Sequence, residues 1–278
     1  MNRSLSFEGE RDRVQHHIVA AVAYRDDPRL VFKGGTMLRV CGLADYRYSE
    51  DLDFDWVGTP REFHTMLNAA VNHAAWSSGV DLVLAIGRGP NPSILWRGDR
   101  AGKRIKAEAA FVSSHDLPIR RWPIRPNHPD IPPAPPIRGY RFVSVMADKL
   151  SCISRRVAAR DFYDLNSLLC AGEDIHAAWG LYVAIADHPE RQYGRRPHPS
   201  DIRASYLGRH SAIAADWEES VADNLLPPVS FTEAFTNVDD AVQTALGRWK
   251  QRLEPGELHH LKQEHQQQSR GRSLDIGL

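Results

Sequence analysis

The feature that most limits how this chain can fold is a short stretch in which acidic and apolar residues alternate without a break. Residues 51–57 read DLDFDWV. Side chains of a β-strand alternate between its two faces, so Asp51, Asp53 and Asp55 would share one face and the apolar side chains the other. The apolar face can pack on a core. Carboxylates roughly 7 Å apart on the opposite face repel one another, so the row needs a positive partner.

A divalent cation is the simplest partner for such a row. Mg²⁺ and Mn²⁺ prefer hard oxygen ligands, and two ions held by neighbouring carboxylates can activate an attacking hydroxyl and stabilise departing pyrophosphate. We therefore take Asp51 and Asp53 as candidate metal ligands and leave the role of Asp55 open. A second interpretation is that these acids end an edge strand and face water, where charge protects against aggregation.

A calcium-binding loop is a third interpretation. The acids that would fill positions one, three, five and twelve of an EF-hand loop are Asp51, Asp53, Asp55 and Glu62. The loop needs glycine at position six for its sharp turn, and this chain has Trp56 there. We therefore expect no calcium loop.

A glycine pair precedes the acids by about fifteen residues, in the sequence FKGGTML. Glycines without Cβ let backbone N–H groups approach phosphate oxygens, and the start of the following helix attracts anions. Gly34, Gly35 and the Thr36 hydroxyl are therefore candidate triphosphate contacts, with Lys33 at the strand end as a further one. The pattern GxxxxGK[ST] of a Walker loop does not occur in the sequence.

The hydrophobic pattern predicts an α+β protein. Strands are expected at 30–32, 51–57, 80–86, 93–96 and 104–112, and helices at 8–25, 36–43, 60–76, 145–157, 161–169, 175–186 and 231–253. Eight prolines lie between Pro118 and Pro136 and exclude both a helix and a central strand there. We therefore predict a catalytic domain at 1–117, a linker at 118–140, a helical domain at 141–255 and a flexible polar tail at 256–278.

Composition excludes several classes of protein. No apolar run approaches the roughly 18 residues of a membrane-spanning helix, and the first residues do not resemble a secretory signal, so we expect a cytoplasmic protein. The three cysteines form no CxxC pair, which disfavours disulfides and structural zinc. Basic and acidic residues number 35 each, so any nucleic-acid binding must be local. The available basic clusters are Arg120/Arg121/Arg125, Arg155/Arg156/Arg160 and Arg191/Arg195/Arg196.

The sequence KGGTMLRV followed by YRYSEDLDFD resembles the signature of the AbiEii/AbiGii nucleotidyltransferase toxins, within the polymerase-beta-like superfamily. The similarity continues at Lys149 in MADKLSCISRR and at Asp161 and Asp164 in RDFYDLNSLL. It covers about residues 31–169, and the sequence beyond matches no pattern. The resemblance implies an N-terminal polymerase-beta-like nucleotidyltransferase domain, a mixed sheet with flanking helices, followed by a mainly α-helical domain.

The resemblance also implies roles for individual residues. Asp51 and Asp53 would hold the metals, and Lys149 would act as a point charge on the nucleotide phosphates. One of Asp161 and Asp164 would belong to the active site. The alternatives are that Lys149 is an ordinary exposed lysine, and that Asp161 caps a helix with Asp164 in the capping-box position.

Three further residues are candidates for the same site. Arg47 and Ser49 would orient the acids or touch phosphate, unless they belong to a plain loop. Superfamily enzymes often use a third carboxylate, and Glu108 on a neighbouring strand fits this role. The alternative for Glu108 is a simple ion pair with Lys106 on the same face.

The function implied by the resemblance is transfer of a nucleoside monophosphate from an NTP to RNA, with release of pyrophosphate and Mg²⁺ or Mn²⁺ as cofactor. A tRNA 3′ end is one candidate acceptor, and Arg155, Arg156 and Arg160 are the expected path for its backbone. The protein would be the toxin of a toxin–antitoxin or abortive-infection system, countered by an antitoxin encoded nearby. The alternatives are a small-molecule or protein acceptor, and a non-catalytic binding protein on the same fold.

Overall fold

Seven β-strands and nine α-helices make up the described part of the chain in the computed structural model. The described residues are 6–43, 46–87, 89, 91–97, 104–186, 198–221 and 229–253. The strands are β1 Leu30–Lys33, β2 Asp51–Val57, β3 Asp81–Ala85, β4 Ser93–Arg97, β5 Arg104–Val112, β6 Ile119–Trp122 and β7 Ile137–Tyr140. The helices are α1 Phe7–Arg25, α2 Gly34–Cys41, α3 Pro60–Ser78, α4 Phe142–Ile153, α5 Ala159–Cys170, α6 Ile175–Ala186, α7 Ile202–Leu207, α8 His210–Ser220 and α9 Phe231–Arg252.

The strands form one mixed sheet in the order β3-β4-β5-β2-β1-β7-β6. Strand β2 lies near its centre, antiparallel to β1 and parallel to β5. Its alternating sequence places Leu52, Phe54 and Trp56 on a fully buried face. The rings of Phe54 and Trp56 contact Phe63 of α3, with centroids 6.0 and 5.7 Å apart. The predicted α+β class is confirmed, and because β2 is an internal strand, the edge-strand interpretation of its acids is wrong.

The start of α3 decides the question of a calcium loop. Thr59 caps the helix, its hydroxyl accepts from the Glu62 N–H, and Glu62 closes the capping box by accepting from the Thr59 N–H at 2.9 Å. A second Glu62 oxygen pairs with Arg29 at 2.9 Å. Asp51 lies in a regular strand rather than in a loop. The expectation that no calcium loop forms is thus in keeping with the observed strand and helix.

The predicted linker is wrong at both of its ends. Strand β7 pairs in parallel with β1 and antiparallel with β6, so residues 119–122 and 137–140 belong to the sheet. The prolines flank these two strands and do not lie within them, so no ladder donor is lost. Pro118 still contributes a carbonyl, which accepts from the Arg141 N–H at 2.9 Å. The prediction was based on the proline content of the whole stretch, so it missed the two proline-free segments that form β6 and β7.

The prolines between β6 and β7 lie in a segment that runs against α1. His128 bonds to Asp12 at 2.8 Å, and Asp130 pairs with Arg13 at 2.6 Å. Residues 123–136 form neither helix nor strand, as the composition predicts. Yet the segment is held by α1 and does not extend freely between two halves.

The second half of the described chain is helical. Its core includes Phe162 of α5, Tyr206 of α7 and Phe235 of α9, with Phe162 and Phe235 stacked at 5.0 Å between centroids. Helix α4 begins three residues earlier than the pattern predicts, and α7 and α8 were not predicted. None of the described helices combines the length and apolar character that crossing a membrane requires. The polar tail, the turn at 99–102 and the cluster Arg191/Arg195/Arg196 lie outside the described residues.

Candidate active site

Three carboxylates occupy neighbouring positions on one face of the sheet. Asp53 of β2 lies opposite Glu108 of the parallel strand β5, and Asp51 lies opposite Lys106 two residues earlier. On the other side, Asp53 lies opposite Lys33 of β1. Residues in register on adjacent strands point to the same face, so the acids and both lysines line one surface.

The acids repel one another and are only partly compensated. Burial, helped by the charges of Asp51 and Glu108, raises the pKa of Asp53 to about 6 against the opposing effect of Lys33 and Lys149. Burial, followed by the charge of Glu108, also raises the pKa of Asp51. Carboxylate oxygens whose negative charge is not fully neutralised by nearby cations fit a divalent cation such as Mg²⁺ or Mn²⁺.

The glycine bend lies directly against Asp53. Gly34 has a φ of +77°, and a Cβ built on it would lie 2.1 Å from the Asp53 Oδ2. A Cβ on Gly35 would lie 3.0 Å from both the Arg47 Nη2 and the Ser49 Oγ. Helix α2 starts at this bend without a side-chain cap from Lys33. Any other residue at Gly34 would displace the acid, so the close approach of bend and acid requires glycine here.

Thr36 and Lys33 have roles that the sequence did not predict. The Thr36 side chain is fully buried, and its hydroxyl donates to the Asp51 carbonyl, so it ties α2 to β2. A phosphate contact from this hydroxyl would need that bond to break, and the contact stays a prediction. The Lys33 ammonium lies 2.6 Å from Asp55.

Asp55 is separated from the open acid row by burial. It is 2% exposed, and the Tyr140 hydroxyl donates to its Oδ2 at 2.5 Å. Together with the Lys33 contact, this makes Asp55 the anchor that fixes an ammonium beside Asp53. The sequence left the role of Asp55 open, and in the structure Asp55 forms an ion pair with Lys33.

A buried charge cluster joins the acid face to the helical half. The Lys149 ammonium lies 2.8 Å from Asp161 and 2.6 Å from Asp164. Arg47 forms two hydrogen bonds to Asp164, at 2.9 and 3.0 Å. Arg156 bonds to Asp161 at 2.7 and 2.9 Å. The cluster holds three cations and two carboxylates, which leaves one net positive charge in it.

The structure decides whether Asp161 and Asp164 cap a helix and whether Lys149 is exposed. Ala158 is the N-cap of α5, and both Asp161 and Asp164 are fully buried within the helix, so the capping interpretation is wrong. Lys149 is 6% exposed, so it is not an ordinary surface lysine. Burial alone would raise the pKa of Asp164, but Arg47 and Lys149 hold that pKa well below its usual range. Both acids are therefore charged partners of the cluster.

Arg47 has a partner outside its own loop, and Ser49 lies against the glycine bend. Arg47 is 7% exposed and lies between Gly35 and Asp164, so it connects the glycine bend with α5. The Tyr46 hydroxyl also donates to Asp164. Sequence reasoning missed Tyr46 and Tyr140, because a tyrosine that bonds to a carboxylate over 80 residues away leaves no local pattern.

Both interpretations of Glu108 have support. It forms the ion pair with Lys106, and both side chains are roughly half-exposed. It also raises the pKa of Asp51 and of Asp53, which places its charge beside them. Arg160 has the opposite effect on Asp51 and lies at the same end of the site.

A second group of potential metal ligands lies away from these acids. Among the described residues, Asp12, His16 and His128 are the group of three whose ligand atoms all lie within 4.8 Å of one another. Arg39 donates to both Asp12 oxygens, at 2.5 and 2.9 Å. A guanidinium that already neutralises the carboxylate makes this group an ion-pair network rather than a cation site.

Paired acids on a central strand, set against a glycine bend, place the chain among the nucleotidyltransferases. The family model described as "Nucleotidyl transferase AbiEii toxin, Type IV TA system" matches residues 17–248. The chain therefore belongs to the AbiEii family of nucleotidyltransferase toxins of type IV toxin–antitoxin systems, which implies an NTP substrate and an antitoxin partner. The resemblance seen at 31–169 is confirmed, and the family match extends into the helical half.

Solved structures show the same fold. MenT4, a nucleotidyltransferase toxin from Mycobacterium tuberculosis H37Rv, is 24% identical with a TM-score of 0.68, over 91% of this chain and 86% of that chain. A putative nucleotidyltransferase from H. pylori is 15% identical with a TM-score of 0.53, over 90% of this chain and 100% of that chain. No curated protein sequence matches the chain significantly.

Replacing Asp53 by Asn should stabilise the metal-free protein above pH 6. The folded pKa of about 6 exceeds the unfolded value near 4, so stability falls as the pH rises between them and stays reduced above. A pKa difference of about two corresponds to about 3 kcal/mol, so in EDTA at pH 8 we expect Asp53→Asn to melt roughly 5–10 °C higher than wild type, with a difference that shrinks toward pH 4. A variant that melts below wild type at pH 8 would contradict the assigned repulsion.

Replacing Gly34 by Ala should damage the site beyond the cost of its backbone conformation. Gly79→Ala is the matched control, because Gly79 also has a positive φ of +65° but a Cβ there meets nothing within 4 Å. Each change costs about 1–2 kcal/mol of backbone strain. Only Gly34→Ala should also abolish nucleotidyl transfer, measured as pyrophosphate release. Equal activity of the two variants would show that the bend does not need to approach Asp53.

Proposed function

We propose that this protein transfers a nucleoside monophosphate from an NTP to an RNA acceptor, with two Mg²⁺ or Mn²⁺ ions held by Asp51 and Asp53 and with Glu108 as third carboxylate. The observation that carries the proposal is the contact of the Gly34 backbone with the Asp53 carboxylate. It brings together the bend that we propose for the triphosphate and the acid that we propose for the metal.

The metal ions would neutralise the phosphates and lower the pKa of the acceptor hydroxyl. The protein's own groups position the NTP. The first backbone N–H groups of α2 have no side-chain cap, so they are the groups that we propose bind the triphosphate. Asp53 must be ionised to bind cations, and the raised pKa of about 6 leaves it ionised at neutral pH.

The buried Lys149 contributes positive charge close to Asp53. Its ammonium is paired with Asp161 and Asp164, yet it still opposes the rise in the pKa of Asp53. The net positive charge of its cluster would stabilise the charge that builds up on the phosphates during transfer. Lys33, fixed by Asp55, acts on the other side of Asp53 in the same way.

The acceptor would approach over the start of α5. Arg160 is close enough to Asp51 to lower its pKa, so the basic cluster Arg155/Arg156/Arg160 borders the acids. Arg156 is itself engaged by Asp161, and its side chain is 47% exposed. With 35 basic and 35 acidic residues overall, a local contact suits a small structured RNA, and we propose a tRNA 3′ end. Because both proposed substrates are found in the cytoplasm, we propose that the protein acts there.

Transfer to tRNA can be measured directly. Purified protein with Mg²⁺, each α-labelled NTP and total tRNA should label RNA and release pyrophosphate. Asp53→Asn should reduce the rate about 100-fold or more, because it removes a group that acts on the transition state. Asp26→Asn, at an exposed ion pair with Arg121, is the matched control and should keep the wild-type rate.

The site of the label separates the proposed acceptor from its rivals. Label in protein or in a small molecule would overturn the RNA acceptor but retain the chemistry. Absence of pyrophosphate release with every NTP would overturn the proposed chemistry.

Addition of Mg²⁺ should raise the melting temperature of wild type. A ligand at 100 times its Kd stabilises the folded state by about 2.7 kcal/mol. Asp53→Asn should lose this increase, whereas Asp26→Asn should keep it. An equal increase in wild type and Asp53→Asn would overturn the assignment of the metal to Asp53.

A further inference from the structure

Arg39 of α2 connects three parts of the catalytic half. Its Nε and Nη2 donate to the two Asp12 oxygens of α1 at 2.5 and 2.9 Å. Its Nη1 donates to the Tyr46 carbonyl, and its guanidinium carbon lies 4.3 Å from the centre of the Tyr48 ring. One side chain thus binds a helix and two residues of the segment 46–49.

Asp12 is a permanent anchor for this arginine. It is 1% exposed, and its Oδ2 also bonds to the His128 Nε2 at 2.8 Å. Burial raises the pKa of Asp12, but the bonds from His128 and Arg39 outweigh burial and hold it at about 2. The His16 ring packs edge-on against His128, with centroids 5.4 Å apart. The anchor is therefore charged and enclosed at neutral pH.

The segment held by Arg39 carries residues of the active site. Residues 46–50 belong to no helix or strand, so side-chain contacts contribute strongly to their position. Arg47 of this segment packs against Gly35 and bonds to Asp164, which in turn pairs with Lys149. Ser49 packs against Gly35 as well. A shift of the segment would therefore move both the wall of the glycine bend and the partner of Asp164.

We propose that Arg39, anchored by Asp12, is a positioning residue for nucleotidyl transfer that fixes the segment 46–49 against the glycine bend. Its effect on turnover rests on the proposed function. Arg39 contacts neither Asp51 nor Asp53 in the described hydrogen bonds and acts through Arg47 and Ser49. Misplacement by about 1 Å in an active site can cost about 100-fold in rate.

The test must separate positioning from general stability. Replacing only one partner would leave a buried charge unpaired and destabilise the fold. The double variant Asp12→Asn with Arg39→Gln removes both charges. The shorter Gln cannot span Asp12, the Tyr46 carbonyl and the Tyr48 ring together. Arg39→Lys keeps the charge beside Asp12 but loses the planar fork.

The chain offers a matched control pair. Arg203 of α7 forms the same two-bond contact with Asp239 of α9, at 2.8 and 2.9 Å. The pair joins two helices of the helical half, and the Tyr206 hydroxyl completes it. The double variant Asp239→Asn with Arg203→Gln therefore removes an ion pair of the same two-bond geometry, though a more exposed one, from a part of the chain outside the active site.

Two readouts are measured on the full-length protein. Hydrogen–deuterium exchange of residues 46–50 should be faster in the Asp12/Arg39 double variant, and unchanged in the Arg203/Asp239 one. With Mg²⁺, NTP and tRNA, the kcat of the Asp12/Arg39 variant should fall about 10- to 100-fold, with a smaller change in the KM for NTP. Arg39→Lys should recover part of kcat. The control should keep the wild-type kcat even where it loses as much melting temperature.

The outcomes distinguish this inference from the proposed function. Unchanged exchange at 46–50 in the Asp12/Arg39 variant, or an unchanged kcat, overturns the positioning role. A kcat that falls in both double variants in proportion to melting temperature also overturns it, because the loss then reflects stability alone. If wild type releases no pyrophosphate, the proposed function fails, and the exchange measurement alone decides whether Arg39 fixes the segment.

Discussion

Repulsion among carboxylates on the central strand shapes much of this molecule. Asp51 and Asp53 lie beside Glu108, and burial raises the free energy of their charged forms. The fold surrounds them with positive charge that stops short of neutralising them: Lys33 is tied to Asp55, and Lys149 to Asp161 and Asp164. A stable protein retains such an imbalance where a bound cation completes it. Under the proposed function, the acid face lowers the stability of the metal-free protein in return for binding the cation.

Two levels of support hold the site. The backbone supplies the first, because β2 is hydrogen-bonded on both sides and Gly34 allows α2 to start against Asp53. Buried ion pairs supply the second, from Asp12 through Arg39 to the segment 46–49, and from Arg47 to the acids of α5. Such pairs contribute little to stability compared with apolar packing, but their directional bonds fix geometry. That is the property which phosphoryl transfer requires.

Local patterns in the sequence predicted local structure well. The alternation at 51–57 gave both bounds of β2, and the approach of the glycine bend to the acids followed from the resemblance. Contacts between distant residues could not be predicted. The Thr36 hydroxyl is used by a backbone carbonyl fifteen residues away, and Arg47 finds Asp164 across 117 residues. Nothing in the sequence around Lys149 shows that it is buried, because a buried lysine on a helix and a solvent-exposed one have the same local sequence pattern.

The position of β7 has a consequence for synthesis of the chain. This strand lies between β1 and β6, and α4 begins two residues after it ends. A nascent chain that has emerged only as far as the prolines cannot complete the sheet, and the charge beneath the acids arrives only with α4 and α5. The sheet can therefore be completed only after residues 137–140 have left the ribosome, and a fragment truncated at residue 117 would lack two of the seven strands, β6 and β7.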